Sequence, residues 1–469
     1  MAGSSRTGRG GYVLFVLGLL LVVVWAGPAP ASSRAEKGPA ATCSSCDVLW
    51  IVVDTTRADR ISAEITPNIH RLASRGVTFA RAYSQAPATM LSVSSYMSGR
   101  YRLSTGQDFS MARQHQDVHE LSPEVTTVAE VLEGRGYRVD GLVANQVIGP
   151  KLKASFDLKL HQGFDTWVGV EDQQVVDRGA DALAGLRDAE QPFMLYLHLL
   201  GPHVPNERMP GLQARRGKQD RKLGGTADGA LYHRITNGEQ EVDEADIAYL
   251  SALYDDALWF ADGQVGKVLD RLDELGMTES TLVVLTSDHG EALGDYRDPH
   301  PRFGHSAALI DSMLHVPLIL AGPGLDRGRM DQGMVELVDL APTIADYLGI
   351  AVRSEWQWEG DSLFGRSEPG TTAIADRGGK GFQQSGIRST SSAVRYSWKQ
   401  DRWAYYDLDP EPREEDAHRV RPPTAEHQQL RDLLQHYMDT AKPPGQEGQE
   451  LDAPEGSELE ALQALGYME

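Results

Sequence analysis

Short, mostly apolar runs alternate along this chain with longer stretches in which apolar residues recur every three or four positions. Asp47–Val53, Arg138–Ala144, Phe193–Leu197, Thr281–Ser287 and Val316–Leu320 are too short for independent helices and read as strands buried on both faces. Between them lie helical patterns. Thr66-Pro67-Asn68 opens one that carries Ile69 and Leu72 and stops at Gly76, before a short extended piece, Val77–Phe79. Val128–Leu132 forms another, closed by Gly134 and Gly136. Tyr254–Leu275 repeats Leu258, Val265, Val268, Leu269 and Leu272 on one side, and Leu340–Leu348 starts near Pro342. This alternation predicts an α/β fold with a central, mostly parallel sheet covered by helices on both faces.

Past about residue 360 the pattern changes. Ala373–Ala375, Gly386–Arg388, Val394–Tyr396 and Trp403–Tyr406 are short, aromatic-bearing strands with turns between them, followed by a helix over His427–Met438. They predict a small antiparallel C-terminal subdomain. Lys442–Gly456 is rich in Pro, Gly and acid and reads as a tether, while Leu459, Leu462, Leu465 and Tyr467 give the last turns one apolar face. The expected organisation is a leader at 1–31, a linker at 32–46, a catalytic domain at 47–360, the subdomain at 361–440 and a flexible tail with a short terminal helix at 441–469.

The leader has Arg6 and Arg9 ahead of an apolar stretch from Tyr12 to Gly27, then the small residues Ala29-Pro30-Ala31. It is either a cleaved signal peptide or a membrane anchor formed by residues 12–27, and both place the globular part in the periplasm or outside the cell. As an anchor, this segment is the expected contact with the membrane. Cys43 and Cys46 lie between leader and first strand, without further residues for a metal or redox site, and read as a local disulfide or a plain linker. With 67 acidic residues against 45 basic, the formal charge of −22 argues against a nucleic-acid partner.

Candidate chemistry sits where the strands end. The first run closes in Asp54-Thr55-Thr56-Arg57-Ala58-Asp59, and the fourth in Asp288-His289-Gly290-Glu291. Acid and imidazole at the carboxyl edge of an open sheet can meet on one metal ion. The stretch Pro87–Arg100 reads as a loop entering a helix, with Thr89 at the helix N-terminus, where free amides favour an oxyanion. Alone, Thr89 is a helix cap; beside a divalent ion its hydroxyl becomes a nucleophile. His198 and His315 read as structural histidines, and His300 is set aside because Pro299 and Pro301 flank it.

These pieces together resemble the sulfatase branch of the alkaline phosphatase superfamily, from about Val48 to Asp416. The resemblance is carried by Val52–Asp59, Thr66-Pro67-Asn68-Ile69, Ser98-Gly99-Arg100, Gly201-Pro202-His203-Val204-Pro205, Thr286–Glu291, Gly304-His305, His315–Leu318, Val338–Thr343, Tyr406–Glu414 and Leu465-Gly466-Tyr467. It implies an alkaline-phosphatase-like sandwich. It also implies that Asp54, Asp288 and His289 hold a divalent metal together with Thr89, the nucleophile position. His203 and His305 would then contact the ester oxygens or protonate the leaving group, and Arg57 and Asp59 would support the first loop. Classical sulfatases convert a cysteine or serine to formylglycine at the nucleophile, with proline two positions on and arginine four positions on. This chain has Thr89, Leu91 and Val93, and Thr55 where the family has a second aspartate. Threonine cannot yield that aldehyde, because its β-carbon carries a methyl group.

The resemblance therefore points to a threonine-nucleophile variant, a metal-dependent hydrolase of anionic esters, with phosphoesters favoured over sulfate esters. The alternatives are a phosphoglycerol or phosphoethanolamine transferase acting on lipid or glycan headgroups, and an inactive member that binds anionic glycans. One imidazole among oxygen ligands favours Zn or Mn, with Ca and Mg open. A second ion would need further ligands such as Asp165 or Asp262, which nothing specific supports. The polar insertion Asn206–Gly229 carries Arg208, Arg215, Arg216, Lys218, Arg221 and Lys222. It is either a solvated loop or a basic pocket wall for a glycan or lipid headgroup.

Overall fold

The computed structural model describes residues 42–107, 109–112, 115–149, 157–206, 223, 227–297, 300–306, 308–366, 370–378, 383–408, 414 and 419–445. The expected leader, most of the basic insertion, the Asp409–Arg413 stretch and the terminal helix lie outside them. No helix among the described residues is long and apolar enough to cross a membrane.

Among the described residues, nine strands form the central sheet: β1 (Asp47–Val53), β2 (Val77–Tyr83), β3 (Arg138–Val143), β4 (Thr166–Gly169), β5 (Phe193–Leu199), β6 (Thr281–Thr286), β7 (His315–Val316), β8 (Leu318–Ala321) and β9 (Arg329–Glu336). Their order is β7-β2-β8-β6-β1-β5-β3-β4, with β9 alongside β2. Strands β6, β1, β5, β3 and β4 run parallel, while β8 is antiparallel to both β6 and β2. Pro317 splits the expected Val316–Leu320 strand in two, since proline has no N–H to give the ladder.

The apolar runs are buried on both faces, and their alternation sorts them into two cores. Val48, Trp50 and Val52 of β1 join Met194, Tyr196, Leu282, Val284, Leu318 and Leu320 on one side. Leu49, Ile51 and Val53 join Leu195, Leu197, Leu199, Val283, Leu285 and Ile319 on the other. Helices α1 (Pro67–Ala73), α2 (Thr89–Ser98), α3 (Val128–Glu133), α4 (Asp172–Arg187), α5 (Gly229–Thr236), α6 (Glu244–Glu274) and α7 (Leu340–Tyr347) cover the sheet. Helix α6 starts ten residues before the predicted Tyr254, at a reciprocal cap in which Asp243 accepts from Asp246 N and Asp246 from Asp243 N.

An antiparallel sheet of β10 (Ala373–Arg377), β11 (Gln384–Arg388), β12 (Ser392–Ser397) and β13 (Arg402–Asp407), with α8 (Ala425–Thr440), forms the C-terminal subdomain. Buried charges fasten it to the main sheet. Arg388 pairs with Asp311 at 2.7 Å and lies 4.7 Å over the Tyr83 ring, while Glu414 accepts from Asp311 N and pairs with Arg395. Cys43 and Cys46 form a disulfide at the start of β1.

Gln85 joins both parts just before α2. Its carbonyl accepts from Asp376 N, its side-chain oxygen from Val338 N, and its amide reaches Glu336. Glu336 also accepts from Ile374 N at 2.7 Å and from the Tyr101 hydroxyl at 2.8 Å. Burial, with the nearby charge of Asp339, pushes the Glu336 pKa up to about 8. A carboxyl that holds its proton more tightly in the fold contributes stability that is complete below its unfolded value of 4.5 and is lost as pH rises through about 8. Glu336→Gln keeps a neutral side chain whose oxygen still accepts from Ile374 N and whose amide N–H donates to the Tyr101 oxygen once that hydroxyl rotates. Its urea midpoint is expected to match that of the parent at about pH 5 and to exceed it at about pH 9. Equal midpoints at both values would refute the assignment.

Candidate active site

Parallel register brings four strand ends to one level. Val52 is paired with both His198 and Thr286, and His198 with Val143. Asp54, Asn145 and Asp288, each one or two residues past a strand, therefore meet beside His198 at the carboxyl edge. Asp54, Asp288, His198 and His289 are all fully buried.

The two carboxylates share one pattern: one oxygen saturated, the other bare. Asp54 Oδ2 accepts from Asn145 Nδ2 at 2.6 Å and lies 3.3 Å from His198 Nε2. Asp288 Oδ1 accepts from His289 N at 3.0 Å and Thr55 N at 3.3 Å. Asp54 Oδ1 and Asp288 Oδ2 are buried and accept no hydrogen bond among the described residues. Bare anionic oxygens in a dry interior are costly unless a cation meets them, and this donor set fits one. Asp54, His198 and Asp288 each offer a ligand atom within 4.8 Å of the others, a buried group able to hold a divalent ion.

Thr89 is the first residue of α2, yet its side chain caps nothing: the cap position is Ala88. The hydroxyl lies instead 3.2 Å from His289 Nε2 and 3.3 Å from Asn145 Nδ2. His289 Nδ1 donates to Gly290 O at 2.9 Å, which leaves the Nε2 lone pair facing Thr89 Oγ1, with Asp288 Oδ2 at 3.5 Å and Asp54 Oδ1 at 3.8 Å. His203 Nδ1 likewise donates to its neighbouring carbonyl, Val204 O.

Three imidazoles pack together beside this cluster. The His305 ring centre is 4.5 Å from that of His289 and 4.9 Å from that of His203. His305 Nδ1 donates to Glu291 Oε2 at 3.3 Å. Burial pulls the His305 pKa down, but the charge and hydrogen bond of Glu291, aided by Asp54 and Asp288, carry it above the ordinary histidine value. Burial would raise the Asp54 carboxyl; the hydrogen bond from His198, with the His203 and His289 rings close by, outweighs it and holds Asp54 well below the carboxylate range.

Backbone detail explains the placement. Thr55 adopts φ of 55°, a left-handed conformation rare for a β-branched residue. The Tyr254 hydroxyl bridges this turn, donating to Thr55 O and accepting from Arg57 N. Ser287 Oγ accepts from Thr56 N and donates to His289 O, and Ser92 Oγ donates to Asp288 O, tying three segments together. Arg57 forks onto Asp59, pairs with Asp295 and donates to Glu291 O.

Thus Asp54, Thr89, His203, Asp288, His289 and His305 converge, as do two residues that sequence reasoning missed. His198, read as structural, stands inside the cluster. Its strand runs two residues beyond the predicted Leu197, so the histidine is still in register with β1. Asn145 follows β3 at the same edge, and its position past a buried strand was the available signal. His300 is exposed and lies against Gly238. Asp165 and Asp262 are committed to backbone N–H groups of Val139, Asn68 and Ile69, away from the cluster. His315 bonds Ala80 O and stacks on Tyr83.

A family profile described as sulfatase matches residues 47–350. The chain is 29% identical over 306 residues to the low-salt glycan biosynthesis sulfotransferase Agl7 of Haloferax volcanii, covering 65% of this chain. It thus spans 61% of the length of that relative. The fold is shared with BT4656 in complex with its substrate D-glucosamine-2-N,6-O-disulfate, at 17% identity and TM-score 0.66, over 84% of this chain and 99% of that one. It is shared equally with the phosphonate monoester hydrolase SpPMH from Silicibacter pomeroyi, at 20% identity and TM-score 0.63, over 84% of this chain and 96% of that one.

Gly290 makes the cluster sensitive to a single methyl group. A Cβ there would lie 2.1 Å from Ser312 O, while Gly290 N already donates to Met313 O. Gly290→Ala must displace the Asp288–His289 turn, and its expected cost is about 3 kcal/mol or more of unfolding free energy. A denaturant curve unchanged from that of the parent would refute this.

Proposed function

The chain belongs to the sulfatase family, and on that premise we propose that it is an exported, metal-dependent hydrolase of anionic esters in which Thr89 is the nucleophile. The observation that carries this is the Thr89 hydroxyl at 3.2 Å from the His289 lone pair, beside two bare carboxylate oxygens. Asp54 Oδ1, Asp288 Oδ2, His289 Nε2 and the Thr89 hydroxyl would hold the ion. A bound divalent cation supplies acidity to the hydroxyl and polarises the ester. Oxygen donors with one imidazole suit Zn or Mn, and also accommodate Mg and Ca.

The residues then divide the work. Asn145 Nδ2, 3.3 Å from Thr89 Oγ1, donates to the nucleophilic oxygen and holds its rotamer. The Thr89 oxygen, its proton released to bulk water, bonds to the central phosphorus or sulfur as the bond to the leaving oxygen breaks. His305, whose pKa Glu291 helps to raise, gives the departing alcohol its proton, and His203 meets the non-bridging oxygens. Water then cleaves the Thr89 ester, returning the proton to His305. Phosphoesters are favoured over sulfate esters because threonine cannot supply the aldehyde of classical sulfatases. A sugar-borne or lipid-borne anionic ester is the favoured substrate class. Support for glycans comes from the glycan-related name of Agl7 and the disulfated sugar bound to BT4656. The sulfotransferase name of Agl7 favours, as second reading, transfer to an acceptor other than water.

The test is metal-reconstituted protein against matched aryl phosphate, phosphodiester and sulfate ester. Turnover of a phosphoester, abolished by chelation, is expected, and Thr89→Ala should lower kcat/KM by about a thousandfold or more. Turnover of the sulfate ester alone would overturn the phosphoester preference. Full activity of Thr89→Ala would overturn the nucleophile.

A further inference from the structure

Beneath the cluster runs a chain of hydrogen bonds that neither the fold nor the proposed chemistry requires. The Tyr96 hydroxyl lies 2.6 Å from that of Tyr196, and the Tyr196 hydroxyl 2.8 Å from His198 Nδ1. His198 Nε2 faces Asp54 Oδ2 at 3.3 Å. All four residues are fully buried. Tyr196 and His198 are two apart on β5 and share a face, and Tyr96 is seven positions after Thr89 on α2, on the same helical face. The Tyr196 ring is held edge-on to Trp50 and stacked on Trp167, so its hydroxyl has one direction available.

Three contacts and three protons admit one arrangement. Asp54, ionised, can only accept, so the proton between it and His198 belongs to Nε2. His198 Nδ1 then carries a lone pair, which must accept from Tyr196, and the Tyr196 oxygen accepts from Tyr96. The reverse direction would set the His198 Nε2 lone pair against the Asp54 carboxylate. It would also leave the Tyr96 proton without an acceptor, because Tyr196 is its one partner among the described residues. A doubly protonated His198 would strand the Tyr196 proton in the same way.

We propose that Tyr96 and Tyr196 fix His198 as the Nε2–H tautomer, making it a positioning donor to Asp54 and not a ligand of the metal, although its ring lies close enough to be one. The consequence falls on Asp54. With Oδ2 occupied by His198 and Asn145, only Oδ1 is presented to a cation, on the side where Asp288 Oδ2 and His289 Nε2 stand. His289 has the opposite tautomer, set by Gly290 O. Two neighbouring histidines thus receive opposite roles from what their Nδ1 atoms touch. This inference rests on the metal-site reading of the preceding section.

The test uses full-length protein labelled with nitrogen-15 at histidine, in long-range proton–nitrogen correlation spectra recorded without metal and with zinc. His198→Gln identifies the relevant signals. The expected spectrum shows His198 protonated at Nε2 and bare at Nδ1, unchanged by zinc, while a second histidine loses its free lone-pair signal on zinc addition. A His198 with bare Nε2, or one whose Nε2 signal moves when zinc binds, would overturn the proposal. Tyr196→Phe is expected to give mixed tautomers at His198 and a zinc affinity about tenfold weaker; an unchanged tautomer and affinity would overturn it equally. If this variant does not fold, the parent spectrum decides. Should zinc and the other divalent ions fail to bind the parent, the metal-site reading falls, and the metal-free spectrum still decides the tautomer.

Discussion

Two carboxylates, Asp54 and Asp288, are fully buried at the edge of a parallel sheet, and the site is arranged around that expense. Burying like charges together is unfavourable unless each is met by donors or cations. The protein supplies donors to one oxygen of each: Asn145 and His198 to Asp54, the Thr55 and His289 amides to Asp288. What it leaves unmet, one oxygen on each residue, points to where a cation belongs. The N-terminus of α2 enters at the same place, and its field favours negative charge on the Thr89 oxygen. The two bare oxygens and the Thr89 hydroxyl thus share one electrostatic environment.

Precision at this edge is inherited from the sheet. Because Val52, Val143, His198 and Thr286 are linked through the ladder, residues far apart in sequence arrive at the same height without dedicated contacts. The loops need more help. Ser306 N donates to Pro87 O and Arg377 Nε to Ser306 O, so the loop bearing His305 is fastened to the segment before Thr89 and to β10. Gln85 performs a similar service a few residues away. The C-terminal subdomain therefore acts on the site indirectly, by fixing the two loops from which Thr89 and His305 project.

Much of this was legible in the sequence, and what was not has identifiable causes. Apolar runs such as Val48–Val53 and Leu282–Leu285 declare doubly buried strands, and the acids that close them declare the functional edge. Thr89, Asp288 and His289 stood out through local motifs. His198 did not, because a histidine inside an apolar run looks like any satisfied core residue until register places it beside Asp54. Asn145 offered only its position past a buried strand, because its partners are 91 and 56 positions away. The left-handed turn at Thr55 is also invisible, since no glycine or asparagine marks it. Sequence periodicity reports which side chains are buried together, but not which polar atoms face one another once they are.

That distinction matters most for the histidines. Proximity alone would make His198 and His289 equivalent candidates for the cation, and burial does not separate them. Proton bookkeeping does. A backbone carbonyl beside His289 Nδ1 can only accept, so that ring must keep its proton there and expose the Nε2 lone pair. A tyrosine beside His198 Nδ1 can donate, and with Tyr96 behind it the economical arrangement is the one in which it does. The identity of an atom one layer away from the site thus decides which nitrogen of an imidazole is left with a lone pair. The same logic applies to His305, where a carboxylate at Nδ1 keeps the proton on that nitrogen and favours the charged ring. A carbonyl behind His289, a phenol behind His198 and a carboxylate behind His305 thus set where each of these three buried rings carries its proton.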